Sequence, residues 1–336
     1  MPRVIFGSSA LGNLYGVVPD ESKRAIVNGW MEHQRRPVFI DSAGKYGAGL
    51  ALETLGRLLH DSGVEPDDVV ISNKLGWRRV PLTTDEPTFE PGAWFGLEHD
   101  ATQAIDGEGI LECWKQGNEL LGGYRADLLS VHDPDDYIAA GKDEADAQRR
   151  YDDVVDAYRA LVELRERGQA RSIGIGAKDW RIAQRLLADD IQLDWVMIAN
   201  VFTVMTHPPE VLALLDDLRQ RNIAIINAGV FNAGFLTGGR YFDYVEVDRA
   251  SRPGLFDWRE QFNALCERFG VTPAHACCQF AFTPPGVASI ALNTSRPGRI
   301  PENLRIAEEP MPTGFWAAMK AEGLLSADYP HAGDDA

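Results

Sequence analysis

No apolar run in this chain approaches the ~20 residues that a bilayer-spanning helix needs. The opening stretch, Met1-Pro2-Arg3-Val4-Ile5-Phe6-Gly7, enters an apolar run at once, without the layout of a signal peptide. Cysteine is scarce. The four, Cys113, Cys266, Cys277 and Cys278, have neither metal-site nor redox spacing. Adjacent Cys277 and Cys278, on an expected helix, are badly placed to pair with each other. The expectation is buried thiols in a reducing cytoplasm, with no metal site. Positive charge is also short: 33 Lys and Arg face 50 Asp and Glu, a net charge of −17. Nucleic acids and anionic membranes both need basic surface, so neither is expected as a partner, and the acidic excess reads as solubility. There is no low-complexity segment, coiled coil or extended basic tail to mark a protein-binding role. A small-molecule partner is expected, and the oligomeric state is left open.

What is present is alternation. With 45% hydrophobic and 25% charged residues, the 336-residue chain has an ordinary globular balance. Eight short apolar runs, near residues 3–6, 37–41, 69–73, 127–131, 171–175, 194–199, 223–227 and 286–292, read as buried parallel strands. Amphipathic segments lie between them. In 148–167, Tyr151, Val154, Val155, Tyr158, Leu161 and Val162 share a face before Gly168, and 256–269 repeats the pattern before Gly270. Eight such alternations predict a (β/α)8 TIM barrel spanning 1–330 as a single domain, with an open doubly wound sheet as the competitor. A long loop after the third strand, 76–105, carries Phe89, Trp94 and Phe95 and is expected to be a lid or pocket wall. The acid-rich stretch 133–153 is expected to be a solvated loop entering the next helix. Residues 326–336 are expected to be a flexible acidic tail.

Four polar residues stand at or just past the ends of three of these runs: Asp41 and Tyr46, Lys74, and His132. In a parallel barrel, strand C-termini converge on one face, where chemistry sits. A free tyrosine titrates near about 10, and a neighbouring ammonium favours its anion, so Lys74 is expected to lower the pKa of Tyr46. Asp41 can keep a buried Lys74 charged, and His132 can hydrogen-bond a substrate oxygen. Such a set moves a proton at a carbonyl or hydroxyl oxygen. It has no activated serine or thiolate, and only one obvious carboxylate where a glycosidase needs two. It suits carbonyl–alcohol interconversion, which also requires a hydride carrier.

The stretch Asp41-Ser42-Ala43-Gly44-Lys45-Tyr46-Gly47, then Ser72-Asn73-Lys74, then Val131-His132-Asp133, resembles the aldo-keto reductase superfamily. The resemblance runs from Phe6-Gly7-Ser8-Ser9-Ala10-Leu11-Gly12 to about Asn303. It implies a (β/α)8 barrel that binds NAD(P)(H), Tyr46 as general acid/base, Lys74 and Asp41 as its tuners, and His132 as substrate orienter. It further implies a cofactor segment at 293–303. Arg299, Glu302 and Asn303 match the family pattern, Thr294 stands in for its Ser with Ser295 beside it, and Asn293 replaces a lysine. Without that lysine's charge for a 2′-phosphate, NAD is favoured, with NADP possible through Arg296 or Arg299. In the run from Asn227 to Leu236, the resemblance places Gly229, Val230, Phe231, Asn232, Gly234 and Leu236 around the pyrophosphate. Two places depart from the family: Ala228 stands where an aromatic usually stacks on nicotinamide, and Gly174-Ile175-Gly176-Ala177 stands where many members have Ser-Asn to hold the carboxamide. Asn200 is the candidate to take over part of that second role.

The Leu14-Tyr15-Gly16, Tyr46–Leu50, His132–Asp135 and Gly229–Asn232 segments resemble the branch of D-threo-aldose 1-dehydrogenases, L-fucose dehydrogenases and pyridoxal dehydrogenases. That resemblance implies NAD-dependent oxidation of an aldose's anomeric hydroxyl to a lactone. Tyr15, Trp77, Trp94 and Phe95 are the candidates to stack on a sugar's apolar face. The alternatives are an NADPH-dependent aldehyde or ketone reductase and a non-catalytic redox-sensing or scaffold barrel. The intact set of four residues argues against the last.

Overall fold

The computed structural model describes residues 1–332. Eight strands form a closed barrel: β1 (Val4–Gly7), β2 (Val38–Ala43), β3 (Val69–Leu75), β4 (Ala126–His132), β5 (Ser172–Ala177), β6 (Trp195–Ala199), β7 (Ala224–Ala228) and β8 (Val287–Asn293). They follow one another around the barrel in chain order. All eight expected strands are present, and the doubly wound alternative is excluded. β3 and β4 are buried along their whole length, which is why they read as continuous apolar stretches rather than alternating ones.

The chain divides into two compact units. One comprises Ile5–Met197 and Ala291–Glu302, the other Met1–Val4, Ile198–Ile290 and the chain from Asn303 onward. In the first, the helix Asp20–His33 brings Trp30 flat against Phe6 of β1, ring centroids 5.4 Å apart. The helix Glu144–Glu166 buries Tyr158, whose hydroxyl donates to the Gly174 carbonyl of β5 at 3.1 Å. In the second, Phe202, Phe280 and Tyr329 form an aromatic cluster, with Phe280 5.3 Å from Phe202 and 5.0 Å from Tyr329.

Three segments differ from expectation. Residues 76–105 are not an irregular loop, because Trp77–Pro81 pairs antiparallel with His99–Gln103 to form a hairpin. Its tip is tied back by Asp100, whose carboxylate accepts from the Thr88 amide and hydroxyl. The acid-rich stretch 133–153 forms a short helix, Pro134–Ala139, started by Pro134 in the first turn. The next helix begins at Glu144 rather than 148, because the Asp143 side chain caps it by accepting from the Asp146 amide at 2.8 Å. In the expected flexible tail, Tyr329 and Ala332 are buried and the Tyr329 hydroxyl lies 2.5 Å from Thr283 Oγ1, so this segment is packed up to Ala332. The rest of that expectation, 333–336, lies outside the described residues. The four cysteines are buried thiols. No helix among the described residues is long and apolar enough to cross a membrane, and none of their His, Cys, Asp and Glu side chains form a group that could hold a metal ion.

Candidate active site

Strand register brings the polar residues to one end. Gly7 pairs with Asp41, Asp41 with Ser72, Lys74 with Ser130, and His132 with Gly176. Alternation along each strand then puts Asp41, Lys74 and His132 on one face, with His132 and Lys74 farthest toward the C-terminal end. Glycine at 176 has a local reason, since a Cβ there would stand 3.0 Å from Lys74 Cδ. Tyr46 follows β2 in a tight turn. Gly47, at φ +61°, lets this turn press against Gly12, whose carbonyl oxygen would lie 2.4 Å from an added Cβ.

The expected four residues come together within one unit. Lys74 Nζ donates to Asp41 Oδ2 at 2.5 Å, and both side chains are 5% exposed. The same ammonium lies 4.8 Å from the centre of the Tyr46 ring. His132 meets that ring edge-on, with centroids 5.6 Å apart. Electrostatics correct one expectation. The Tyr46 pKa is pushed well up rather than down, first by burial and then by the carboxylates of Asp41, Asp133 and Glu90. With Lys74 drawn onto Asp41, its charge does not outweigh them. His132 is pushed well below its ordinary value by burial, then by Lys45, Lys74 and Lys178, and is therefore neutral at pH 7. Its Nδ1 is buried without a hydrogen-bond partner. The set is thus a protonated phenol beside a neutral imidazole, with a buried ion pair behind them. It can donate a proton to a carbonyl oxygen, or accept one after the phenol has ionised.

Sequence reasoning missed a second group of charges. Lys45 Nζ lies 2.6 Å from Glu90 Oε1 and 3.4 Å from Asp133 Oδ2. Asp133 Oδ2 also stands 3.6 Å from His132 Nε2 and 3.8 Å from Lys178 Nζ, which in turn holds Asp136 at 2.5 Å. The available signal was adjacency: Lys45 precedes Tyr46, and Asp133 follows His132.

The four expected substrate contacts separate. Trp94 is buried, its ring centre 5.8 Å from that of Tyr46. It packs with Phe89, Ala48 and Ala101, and Leu14, Ala93 and Leu97 close around them. Trp77 instead faces Phe89 at 5.8 Å and the Lys45 ammonium at 5.2 Å, and its buried indole nitrogen has no partner. Tyr15 and Phe95 are exposed, and their loops are joined by the Tyr15 amide to the Ala93 carbonyl and the Phe95 amide to the Asn13 carbonyl.

The expected cofactor residues fall in both units. Asn293, Thr294, Ser295, Arg299 and Glu302 lie in the unit that holds Tyr46, on the segment from the end of β8 into the helix Ile300–Glu308. Arg296 and Arg299 are exposed and make no ion pair among the described residues, so their donors can take a phosphate. Asn200, Gly229, Val230, Phe231, Asn232, Gly234, Leu236 and Asn303 belong to the other unit. There, Asn200 Nδ2 donates to Asp243 Oδ1 at 3.2 Å, while its buried Oδ1 has no partner. A Cβ at Gly229 would stand 2.2 Å from that oxygen. Asn232 Oδ1 is a second buried acceptor without a partner, and Gly234, at φ +91°, has open space where a Cβ would be. Taken unit by unit, the exposed guanidiniums suit a phosphate, and the partnerless amide oxygens and side-chain-free backbone suit a carboxamide and a phosphate, so each set fits part of a dinucleotide.

A barrel with proton-transfer groups at the C-terminal ends of its strands defines a class of enzyme, and comparison with known proteins supplies the family. The chain belongs to the aldo/keto reductase family, whose sequence model matches residues 3–322. It is thereby an oxidoreductase of a family that works with nicotinamide cofactors. It is 28% identical over 335 residues to a pyridoxal 4-dehydrogenase of Microbacterium luteolum, covering 95% of this chain and 93% of that protein. It is 26% identical over 334 residues to a D-threo-aldose 1-dehydrogenase of a Pseudomonas species, covering 97% and 95%. Among solved structures, the glycerol dehydrogenase of Gluconobacter oxydans superposes with a TM-score of 0.68 at 17% identity, covering 98% of this chain and 95% of that one. An aldo-keto reductase of Bacillus halodurans gives the same score and identity, with coverage of 97% and 92%. These two likenesses establish the fold.

Proposed function

We propose that this protein is an NAD-dependent dehydrogenase that oxidises the anomeric hydroxyl of an aldose to a lactone. The observation that carries the reading is the gathering of Asp41, Tyr46, Lys74 and His132 beneath an aromatic wall, in a chain whose near-full-length relatives include an aldose 1-dehydrogenase. A nicotinamide dinucleotide, when bound, supplies the hydride acceptor. Tyr46, once ionised to the tyrosinate, takes the proton from the hydroxyl oxygen as hydride leaves the same carbon, so that a C=O bond forms. Neutral His132 hydrogen-bonds that oxygen, and the Lys74 ammonium, paired with Asp41, stands beside the tyrosinate before it takes up the proton. Trp94, whose ring lies against Tyr46, is the aromatic assigned to the sugar's C–H surface in this reading. Asn200, Gly229, Val230, Phe231, Asn232, Gly234 and Leu236 serve the nicotinamide and pyrophosphate. Asn293, Thr294, Ser295, Arg299, Glu302 and Asn303 serve the adenosine end. Asn293 in place of a lysine favours NAD over NADP.

One observation favours a second reading. The raised Tyr46 pKa leaves the phenol protonated at pH 7, the state needed to donate a proton to a carbonyl oxygen. That suits an NADPH-dependent aldehyde or ketone reductase. The deciding experiment follows absorbance at the reduced-nicotinamide band with NAD, and separately NADP, against a panel of free aldoses and pyridoxal. Growth of the band with NAD and a few sugars supports the dehydrogenase. Silence with every sugar, but NADPH consumption with simple aldehydes, supports the reductase.

A further inference from the structure

Lys45 is buried and takes no step in the chemistry above, where it enters only as one of the charges that keep His132 neutral. Its ammonium sits where three loops meet, those following β2, β3 and β4. It belongs to the first, reaches Glu90 of the second at 2.6 Å, and reaches Asp133 of the third at 3.4 Å. Each carboxylate leads on to a group at the site. Glu90 Oε2 accepts from the Trp94 indole at 2.7 Å, and the Trp94 ring lies against Tyr46. Asp133 adjoins His132, and its amide donates to the Gly176 carbonyl. Both carboxylate residues have left-handed backbones, φ +44° at Glu90 and +46° at Asp133. For residues other than glycine this costs energy that surrounding contacts must hold in place.

We propose that Lys45 is a positioning residue that sets substrate affinity. It clamps the hairpin tip onto the barrel through Glu90, so that Trp94 is pre-organised against Tyr46, and fixes Asp133 beside His132. Its ammonium acts through these neighbours and not on the reacting atoms. The kinetic part rests on the dehydrogenase reading, but the clamp itself does not.

The test compares Lys45→Met, Glu90→Gln and Glu90→Ala by two readouts. Steady-state kinetics, with whichever substrate the protein turns over, should give KM raised by about 10-fold or more in Lys45→Met and Glu90→Ala. In the same variants kcat should change by less than about 3-fold, and the dissociation constant for NAD should be unchanged. Glu90→Gln keeps an acceptor for the Trp94 indole and loses only the ion pair, so its KM should lie between. Hydrogen exchange of the 82–98 amides, measured without substrate, should quicken in Lys45→Met and Glu90→Ala while the barrel strands stay protected. Unchanged exchange at 82–98 overturns the clamp, whether or not any sugar is oxidised. Quickened exchange with an unmoved KM, or with kcat falling as far as KM rises, overturns the role in substrate affinity. Should Lys45→Met fail to fold, the exposed Glu90 variants decide both points.

Discussion

Replacing Lys74 with methionine tests the buried pair behind Tyr46. Lys74 and Asp41 are each 5% exposed and lie 2.5 Å apart, and Asp41 Oδ1 has no hydrogen-bond partner among the described residues. Methionine fills most of the lysine's volume, so packing changes little and the perturbation is mainly of charge. Breaking one side of a buried pair costs about 3–5 kcal/mol. A second route bounds the figure. The stranded carboxylate escapes by taking up a proton, and for a carboxyl that titrates in water near about 4 this costs about 4 kcal/mol at pH 7. That is a large share of the ~5–15 kcal/mol that holds an ordinary domain folded. The second route also sets a sign. Once the buried carboxyl is protonated in the folded state and ionised in the unfolded state, folding takes up a proton. The deficit should then shrink by about 1.4 kcal/mol for each pH unit from 7 toward 5. Denaturant unfolding of Lys74→Met beside the parent, at pH 7 and pH 5, measures it. Adding Asp41→Asn removes the stranded charge and should restore much of the loss at pH 7. A Lys74→Met variant as stable as the parent at pH 7 would refute the reasoning. So would a double variant no more stable than Lys74→Met alone.

Tyr46→Phe should lower turnover by at least about 100-fold, the usual worth of a positioned acid or base, while NAD binding measured by fluorescence titration stays close to the parent's. With the Tyr46 pKa raised, oxidation should climb steadily from about pH 6 to about pH 9 while reduction stays flat. Rate profiles in both directions check this, and an oxidation plateau near neutrality would contradict it. His132, titrating lower when folded than when unfolded, contributes stability that is present above about pH 6.5 and lost as pH falls below it, so His132→Gln should weaken the acid dependence of the unfolding midpoint. Asn293→Lys should raise the NADP-to-NAD ratio of kcat/KM, and an unchanged ratio would mean that the 2′ end is read elsewhere. Gly174→Ala would put a Cβ 2.1 Å from the Trp195 ring and should cost at least about 1–3 kcal/mol in denaturant unfolding.

The barrel and the four polar residues were legible in the sequence for one physical reason. A strand buried on both faces reads as an unbroken apolar run, so a polar residue at its end stands out, and parallel closure sends all such ends to one face. Asp41, Lys74 and His132 needed nothing more. The hairpin within 76–105 was hidden because Trp77-Arg78-Arg79-Val80-Pro81 lacks the alternation of a half-buried strand. Its partner strand buries only Asp100 and Ala101, neither of which stands out from a loop in the sequence. The sign of the Tyr46 shift was lost for a related reason. From the sequence, Lys74 was the one charge expected to act on the phenol, because Asp41, though placed beside it, was read as the partner of that lysine. Glu90 and Asp133 reach the phenol from a hairpin tip and a left-handed turn, where no periodic pattern fixes direction. An apolar strand announces its own geometry, whereas a charge on a loop acquires a partner only when the loop is folded. The same difference separates the two lysines. Lys74 ends a strand and its place was readable; Lys45 lies one residue from Tyr46 in a turn, and its significance depends on where Glu90 and Asp133 come to rest. Tyr46, the residue proposed to move the proton, is thus held by the turn that follows a strand, while its readiness to ionise and the wall that faces it are set also by more distant loops.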